Sequence, residues 1–317
     1  MLAKHTSSAT ETKQIQCSTH WGLLCIGCSL LFLVAACQPI QRPSKITQLP
    51  NSRSPNLFNI GGRNLALFCE GAGSPTVILE AGLAGDHTTW ELVQPQAAKL
   101  SRTCSYDRAG MGESDPASTP RTSADVVNDL HRLLEVAGEK RPYLLVGHSF
   151  GGLHTRLFAA TYPDEVIGMI LVDAVHEDWW RKGAALLPAA TANEDPAIAE
   201  LRRYFTSDGG SPNENSEGID IAATAEQVRK GGRFGDKPLV VLVAGIPDVL
   251  PPNLPEQLQL ALVKLLQQDL PQQFVHLSTN SIKVDVPNSG HDIPRQRPDI
   301  VVVAIKTLVE INQSGSK

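Results

Sequence analysis

No stretch of this 317-residue chain concentrates basic side chains. With a net charge of −5 and a pI near 6.0, that lack argues against a nucleic-acid binder. Internal repeats are missing, which removes solenoids and propellers from consideration. No group of His, Cys and acidic residues has metal-ligand spacing, and no cofactor fingerprint appears. The Gly-rich stretches lack Walker spacing, so neither metal nor cofactor is expected. Cysteine is scarce: of six, Cys17, Cys25, Cys28 and Cys37 crowd into the first part of the chain, which leaves Cys69 and Cys104. Long apolar runs are scarcer still, the one example spanning Trp21 to Ala36.

That run follows a polar leader containing Lys4 and Lys13, the layout of a secretory signal with charged and apolar regions. It ends in Leu33-Val34-Ala35-Ala36-Cys37, which resembles the lipobox of bacterial lipoproteins. There the cysteine is lipidated and becomes the new N-terminus. The alternative is an uncleaved membrane anchor, for which the run is short against the ~20 residues a span needs. Either reading puts the domain outside the cytoplasm and tethers it to a membrane. Residues 1–37 are thus read as a leader and 38–56, rich in Pro, Ser, Gln and Asn, as a flexible linker. In an oxidising compartment Cys69 and Cys104 are free to pair; the other reading is two buried apolar residues in strands.

The most informative stretch is Gly147-His148-Ser149-Phe150-Gly151. An apolar run, Tyr143 to Val146, precedes it, and a helical pattern from Leu153 to Tyr162 follows. A G-x-S-x-G between strand and helix is the setting of a nucleophile elbow. The turn at Ser149 is sharp, and side chains two positions away on either side would collide, hence the glycines. The turn lifts the serine hydroxyl above the strand ends. It also aims the Phe150 N–H, at a helix N-terminus, where an oxyanion would form.

Strand and helix patterns alternate along the rest of the chain. Strands are expected at 65–70, 76–80, 102–106, 166–172, 238–244 and 282–286. Helices are expected at 90–100, from Thr122 or Ser123 to about Val136, at 256–268 and at 298–311. This is an α/β architecture, a mostly parallel sheet with helices on both faces. Ligands should meet it at the carboxyl ends of the strands, where Ser149, Asp173, Asp248 and His291 all fall. Residues 174–236 interrupt the alternation after a strand end and read as a small helical lid.

Four stretches together resemble the alpha/beta-hydrolase-fold serine hydrolases of the lid-bearing, esterase-like group. They are Leu79-Glu80-Ala81-Gly82-Leu83, Ser105 to Ser114, the elbow, and Asn288-Ser289-Gly290-His291. The resemblance covers about Leu57 to Ile311, within a hydrolase domain set at 57–313. It implies Ser149 as nucleophile and His291 as base, with oxyanion donors at the Phe150 and Leu83 N–H groups. Typical members have His-Gly where this chain has Ala81-Gly82. For the acid the resemblance leaves two candidates, Asp173 and Asp248. Asp173 is preferred because the stretch from Asp248 to His291 is long and Pro247, Pro251 and Pro252 steer Asp248 outward. Asp107 and Arg108 resemble the family's loop-bracing pair and are given no chemistry. The strands of Cys69 and Cys104 are neighbours in this family, so the resemblance also implies a disulfide.

The implied reaction is cleavage of a small-molecule carboxylic ester through an acyl-enzyme. A serine nucleophile disfavours the related dehalogenases and epoxide hydrolases, which attack with aspartate. Acyl transfer, carbon–carbon bond hydrolysis and a tethered, non-catalytic binding protein remain as alternatives. In the lid, Trp179, Trp180 and His176 are the substrate candidates. His176 stands at the lid root, and the tryptophans form part of an apolar acyl or alcohol pocket, with packing within the lid as the other reading for the tryptophans. Leu186, Leu187, Tyr204 and Phe205 either join them or pack on one another.

Overall fold

The computed structural model describes residues 55–207, 211–247 and 253–315. The chain divides into two units, Met1–Asn51 and Ser52–Lys317, and every described residue lies in the second. The leader, Cys37 and nearly all of the linker fall outside the described residues, as does Asp248. Among the described residues, no helix is long and apolar enough to cross a membrane.

One sheet runs through the unit. Its strands are β1 (Asn56–Asn59), β2 (Asn64–Glu70), β3 (Thr76–Glu80), β4 (Thr103–Tyr106), β5 (Tyr143–His148), β6 (Val166–Val172), β7 (Leu239–Ala244) and β8 (Ser281–Val286). The spatial order is β1-β2-β4-β3-β5-β6-β7-β8, parallel from β4 to β8, with the β1–β2 and β2–β4 pairs antiparallel. Strands β3, β5 and β7 are buried along their whole length, which is why they read as unbroken apolar runs. Their side chains feed two cores, one on each face.

The helices are α1 (Gln94–Ala97), α2 (Ser123–Ala137), α3 (Gly151–Thr161), α4 (Trp179–Leu186), α5 (Pro196–Thr206), α6 (Ile221–Lys230), α7 (Glu256–Lys264), α8 (Leu270–Val275), α9 (Ile293–Gln296) and α10 (Pro298–Gly315). Sequence signals set the ends of α2 well. The Asp125 carboxylate accepts the Thr122 N–H and hydroxyl, and Gly138 closes the helix in the left-handed region at φ 71°.

Elsewhere the periodicity misled. The helix expected at 90–100 is a 3₁₀ turn, His87–Trp90, followed by the single turn α1. Pro95 explains this, because it has no N–H to carry a helix in from Trp90 but fits the first turn of a new one. The helix expected to end at Gln268 instead passes through a π-helical turn, Leu265–Asp269, into α8. Pro271 is tolerated there in the first turn of α8. Strand β1 includes Asn56, assigned to the linker from its composition; its polar Asn-Leu-Phe-Asn sequence carries no alternation to find.

Between β6 and β7 the insertion contributes α4, α5 and α6. Their apolar faces join Phe150, Leu153 and residues of α7 and α8 in a third core above the sheet. The sulfurs of Cys69 and Cys104, directly opposite on β2 and β4, form a disulfide.

Candidate active site

Strand β5 delivers Ser149 into a turn with φ +53°, a left-handed conformation that costs a residue with a Cβ. The strain is held by neighbours on both sides: the Ser149 N–H donates to Val172 O, and its carbonyl accepts from Val175 and Gly152. The glycines are sterically required. A Cβ on Gly147 would lie 2.6 Å from Thr155 Oγ1, and one on Gly151 would lie 2.4 Å from Ala81 O. Asp173 follows β6 at φ +42° and Asn288 follows β8 at φ +58°, so backbone strain recurs where the strand ends present their side chains.

These ends bring Ser149, His291 and Asp173 into one chain of contacts. Ser149 Oγ is 2.8 Å from His291 Nε2, and His291 Nδ1 is 2.7 Å from Asp173 Oδ2. A carboxylate only accepts, so Nδ1 carries the proton and Nε2 is left to accept the serine hydroxyl. The other Asp173 oxygen accepts the Ala244 N–H at 2.8 Å, which fixes the carboxylate. Asp248, the competing acid, is not among the described residues.

Leu83 and Phe150, the expected oxyanion donors, line the same cleft as Ser149. Among the described residues, no hydrogen bond engages the N–H of Leu83 or of Phe150. Gly82 keeps the loop close, since a Cβ there would sit 3.1 Å from Ser149 Cβ. The loop itself is braced by a buried ion cluster. Arg108 Nη1 donates to Glu80 and to Ala81 O at 2.6 and 2.8 Å, and its Nε and Nη2 both reach Glu217 at 2.6 Å. Burial opposes the guanidinium charge, yet Glu217 and Glu80 raise its pKa further. Glu217 in turn accepts the Ala84 N–H at 2.7 Å, beside Leu83. Ala84 is another left-handed residue, φ +59°.

Sequence reading assigned Arg108 to loop bracing but missed Glu217. Glu217 lies in the insertion, far along the chain, and only the packed fold shows the pairing. His148 was also passed over. Its Nε2–H donates to the His291 carbonyl at 2.9 Å. Burial first, and then His291, lowers its pKa to about 4, so the ring stays neutral.

A cleft of about 420 Å³ opens over Ser149 and His291. His176, Trp179, Trp180 and Tyr204 line it from the insertion. Further lining, not anticipated, comes from the π-helical turn and α8: Leu266, Gln267, Leu270 and Phe274. Phe205 does not line the cleft. It is packed edge-on against Trp179 inside the insertion, while Leu186 is partly exposed and Leu187 lies against the third core. Short amphipathic helices allow either arrangement, so packing alone decides which face meets the cleft.

One carboxylate–imidazole group elsewhere, Asp86, His87 and Asp107, is compact enough for a metal ion. Its atoms are already engaged: Asp107 accepts from the His87 N–H and ring and from Glu113 N, and Asp86 caps Thr88. Asp107 thus braces the turn at Gly112, where a Cβ would lie 2.2 Å from its carboxylate.

The sheet order, the crossover helices and the placement of Ser149, Asp173 and His291 after β5, β6 and β8 define the architecture. The chain has the alpha/beta hydrolase fold. A family model described as alpha/beta hydrolase fold matches residues 75–202. Among curated proteins, the uncharacterised protein YqjL of Bacillus subtilis is 28% identical over 236 residues, 74% of this chain and 84% of its own. A thermophilic esterase from Thermogutta terrifontis shares the fold with a TM-score of 0.56 at 20% identity, covering 81% of this chain and 98% of its own. A haloalkane dehalogenase from Bradyrhizobium elkanii reaches a TM-score of 0.62 at 13% identity, covering 83% and 98%.

Proposed function

We propose that this protein is a serine hydrolase that cleaves a small-molecule carboxylic ester. The observation that carries the reading is the Ser149–His291–Asp173 chain, 2.8 and 2.7 Å between the reacting atoms. Ser149 attacks the acyl carbon while His291 takes its proton. The Leu83 and Phe150 N–H groups stabilise the oxyanion, each worth a few kcal/mol, on the order of 3. His291 then protonates the departing alcohol. Water activated by His291 releases the acid in a second half-reaction, and Asp173 holds the imidazole in the required tautomer throughout. The Thermogutta esterase supports this reading by fold. The dehalogenase likeness does not compete, because Ser149 stands at the elbow.

Labelling with a fluorophosphonate and turnover of p-nitrophenyl esters of graded chain length test the proposal. The wild-type domain is expected to label and turn over; folded Ser149→Ala is expected to do neither. Turnover retained in that variant would remove Ser149 from the mechanism. A folded wild type that neither labels nor hydrolyses any ester would favour the binding-protein reading.

We also infer that the domain is exported and held at a membrane through lipid on Cys37. The run ending at Cys37 motivates this, and the Cys69–Cys104 disulfide suits an oxidising compartment. Fractionation of wild type and Cys37→Ala decides it. Both in the cytosol rejects export, and a membrane-bound variant favours an uncleaved span.

A further inference from the structure

The cleft wall is mostly apolar, yet it contains two ring N–H groups with no acceptor among the described residues. The Trp180 indole N–H is buried without a partner. The other belongs to His176, at the root of the insertion. His176 Nδ1 accepts the Asp178 backbone N–H at 3.0 Å. A ring nitrogen accepting in this way bears no proton, so the neutral ring carries it on Nε2. Burial keeps the ring neutral, with a pKa of about 4, although the Glu177 carboxylate 3.2 Å from Nδ1 favours the cation. Among the described residues, no hydrogen bond engages Nε2.

The donor is also held in place. The two residues that follow it are both tied down: Glu177 takes two bonds from buried Arg156, and Asp178 pairs with Arg229 at 3.1 Å. The ring lies against Phe274 of α8, centroids 4.9 Å apart. A fixed N–H donor in an apolar wall is expensive to leave unpaired when water is displaced. A substrate that fills the cleft must therefore supply an acceptor or lose affinity. No Lys or Arg lines the cleft among the described residues, so nothing there would balance a substrate carboxylate.

Resting on the hydrolase reading above, we propose that His176 is a specificity-determining residue. Its Nε2–H donates to a neutral acceptor oxygen that the substrate carries besides the scissile ester, a ketone or ether oxygen in an otherwise apolar chain.

The test compares isosteric esters that differ in that oxygen. On the acyl side the pair is p-nitrophenyl 4-oxopentanoate and p-nitrophenyl 4-methylpentanoate. On the alcohol side it is 3-ethoxypropyl acetate and hexyl acetate. The quantity is the ratio of kcat/KM within a pair, wild type against His176→Phe, so that intrinsic ester reactivity cancels. In at least one pair the preference for the oxygenated ester is expected to fall by roughly tenfold in His176→Phe, the scale of one lost hydrogen bond. His176→Gln, which keeps an N–H donor, is expected to retain part of it. Circular dichroism checks each variant, and His176→Leu substitutes if the phenylalanine variant does not fold.

A purely structural role would slow both members of a pair equally. Unchanged ratios in both pairs, with turnover intact, overturn the proposal and leave the hydrolase reading standing. Absence of wild-type turnover together with absence of a phosphonate adduct on Ser149 overturns the hydrolase reading, and this inference with it.

Discussion

The floor of the cleft and its roof are made differently. The floor is the set of strand ends after β5, β6 and β8, with the Ala81–Gly85 loop. Its residues are held by backbone hydrogen bonds, by four left-handed residues with side chains, and by the buried Arg108 cluster. The roof is α4, α5 and α6, held by apolar faces and by ion pairs such as Arg202–Glu194. A floor of this kind fixes atoms to fractions of an ångström, as proton transfer demands. A roof of apolar contacts tolerates small shifts, as a substrate cover must.

The floor should therefore fail abruptly. Asp173→Asn keeps the shape of the side chain but turns an obligatory acceptor into a group that can donate toward His291. Steady-state kinetics on the best p-nitrophenyl ester are expected to show kcat down by about 10⁴-fold, with the fold intact. Asp248→Asn, measured beside it at matched stability, is expected to stay near wild type. The opposite ranking would transfer the acid role to Asp248.

Acid should destabilise both regions. His148 in the floor and His176 in the roof each have a folded pKa of about 4, below the ordinary value of 6.5, mainly through burial. The buried ring of His154, edge-on to Phe150, is also pushed well below the ordinary value, first by burial. Between pH 6.5 and 4 the unfolded chain binds protons at these rings that the folded one refuses. Stability is then fully present above pH 6.5 and declines as pH falls toward 4, by about 3 kcal/mol for each of His148 and His176. Glu177, lowered to about 2 by Arg156 against the opposing effect of burial, loses its contribution only below pH 4.5. Urea titrations at a series of pH values are expected to show this slope, and His176→Gln should make it shallower. Equal stability at pH 7 and pH 5 would contradict it.

The elbow was legible in the sequence because its requirements are local: glycines two residues either side of Ser149, a strand before and a helix after. His291 was legible from its place after the last strand. The roof was legible only as an interruption. Which faces of α4 and α5 would meet the cleft depended on packing, and Trp179 turned toward it while Phe205 turned inward. The further lining was missed because its helix pattern ran past an expected end at Gln268 through a π-helical turn. Glu217 was invisible because its partner Arg108 is 109 residues away.

Glu217 is also where roof and floor are joined, so it sharpens the contrast. Glu217→Gln removes the charge that balances Arg108 and weakens the grip on Ala84. The expected result is kcat lower by roughly ten- to a hundredfold with KM within about twofold, because an oxyanion donor acts mainly in the transition state. Glu194→Gln, at the half-buried Arg202 pair outside the cleft lining, should leave both constants unchanged. A KM effect alone from Glu217→Gln would make it a cover residue with no hold on the oxyanion loop.

The smallest effect separates two glycines. Gly183 lies inside α4, where replacing glycine by alanine ordinarily stabilises a helix by about 0.5–1 kcal/mol. A Cβ there would lie 2.2 Å from Phe205 Cε1, however, and that ring is buried. Overpacking costs about 1–3 kcal/mol, so the clash outweighs the helix gain and Gly183→Ala should lose about 1–2 kcal/mol net. The ring is the far end of a side chain in an apolar layer, so α4 and α5 can part slightly. Activity on short esters should stay within about threefold, with KM for long ones moving most. At Gly151 the obstacle is backbone: Ala81 O at 2.4 Å and Glu80 O at 2.7 Å, where β3 ends and the Ala81–Gly85 loop begins. Nothing there can yield without moving Leu83, so Gly151→Ala should abolish activity even where folded protein is recovered. If Gly183→Ala proved as damaging to kcat as Gly151→Ala, the roof would have to be as rigid as the floor.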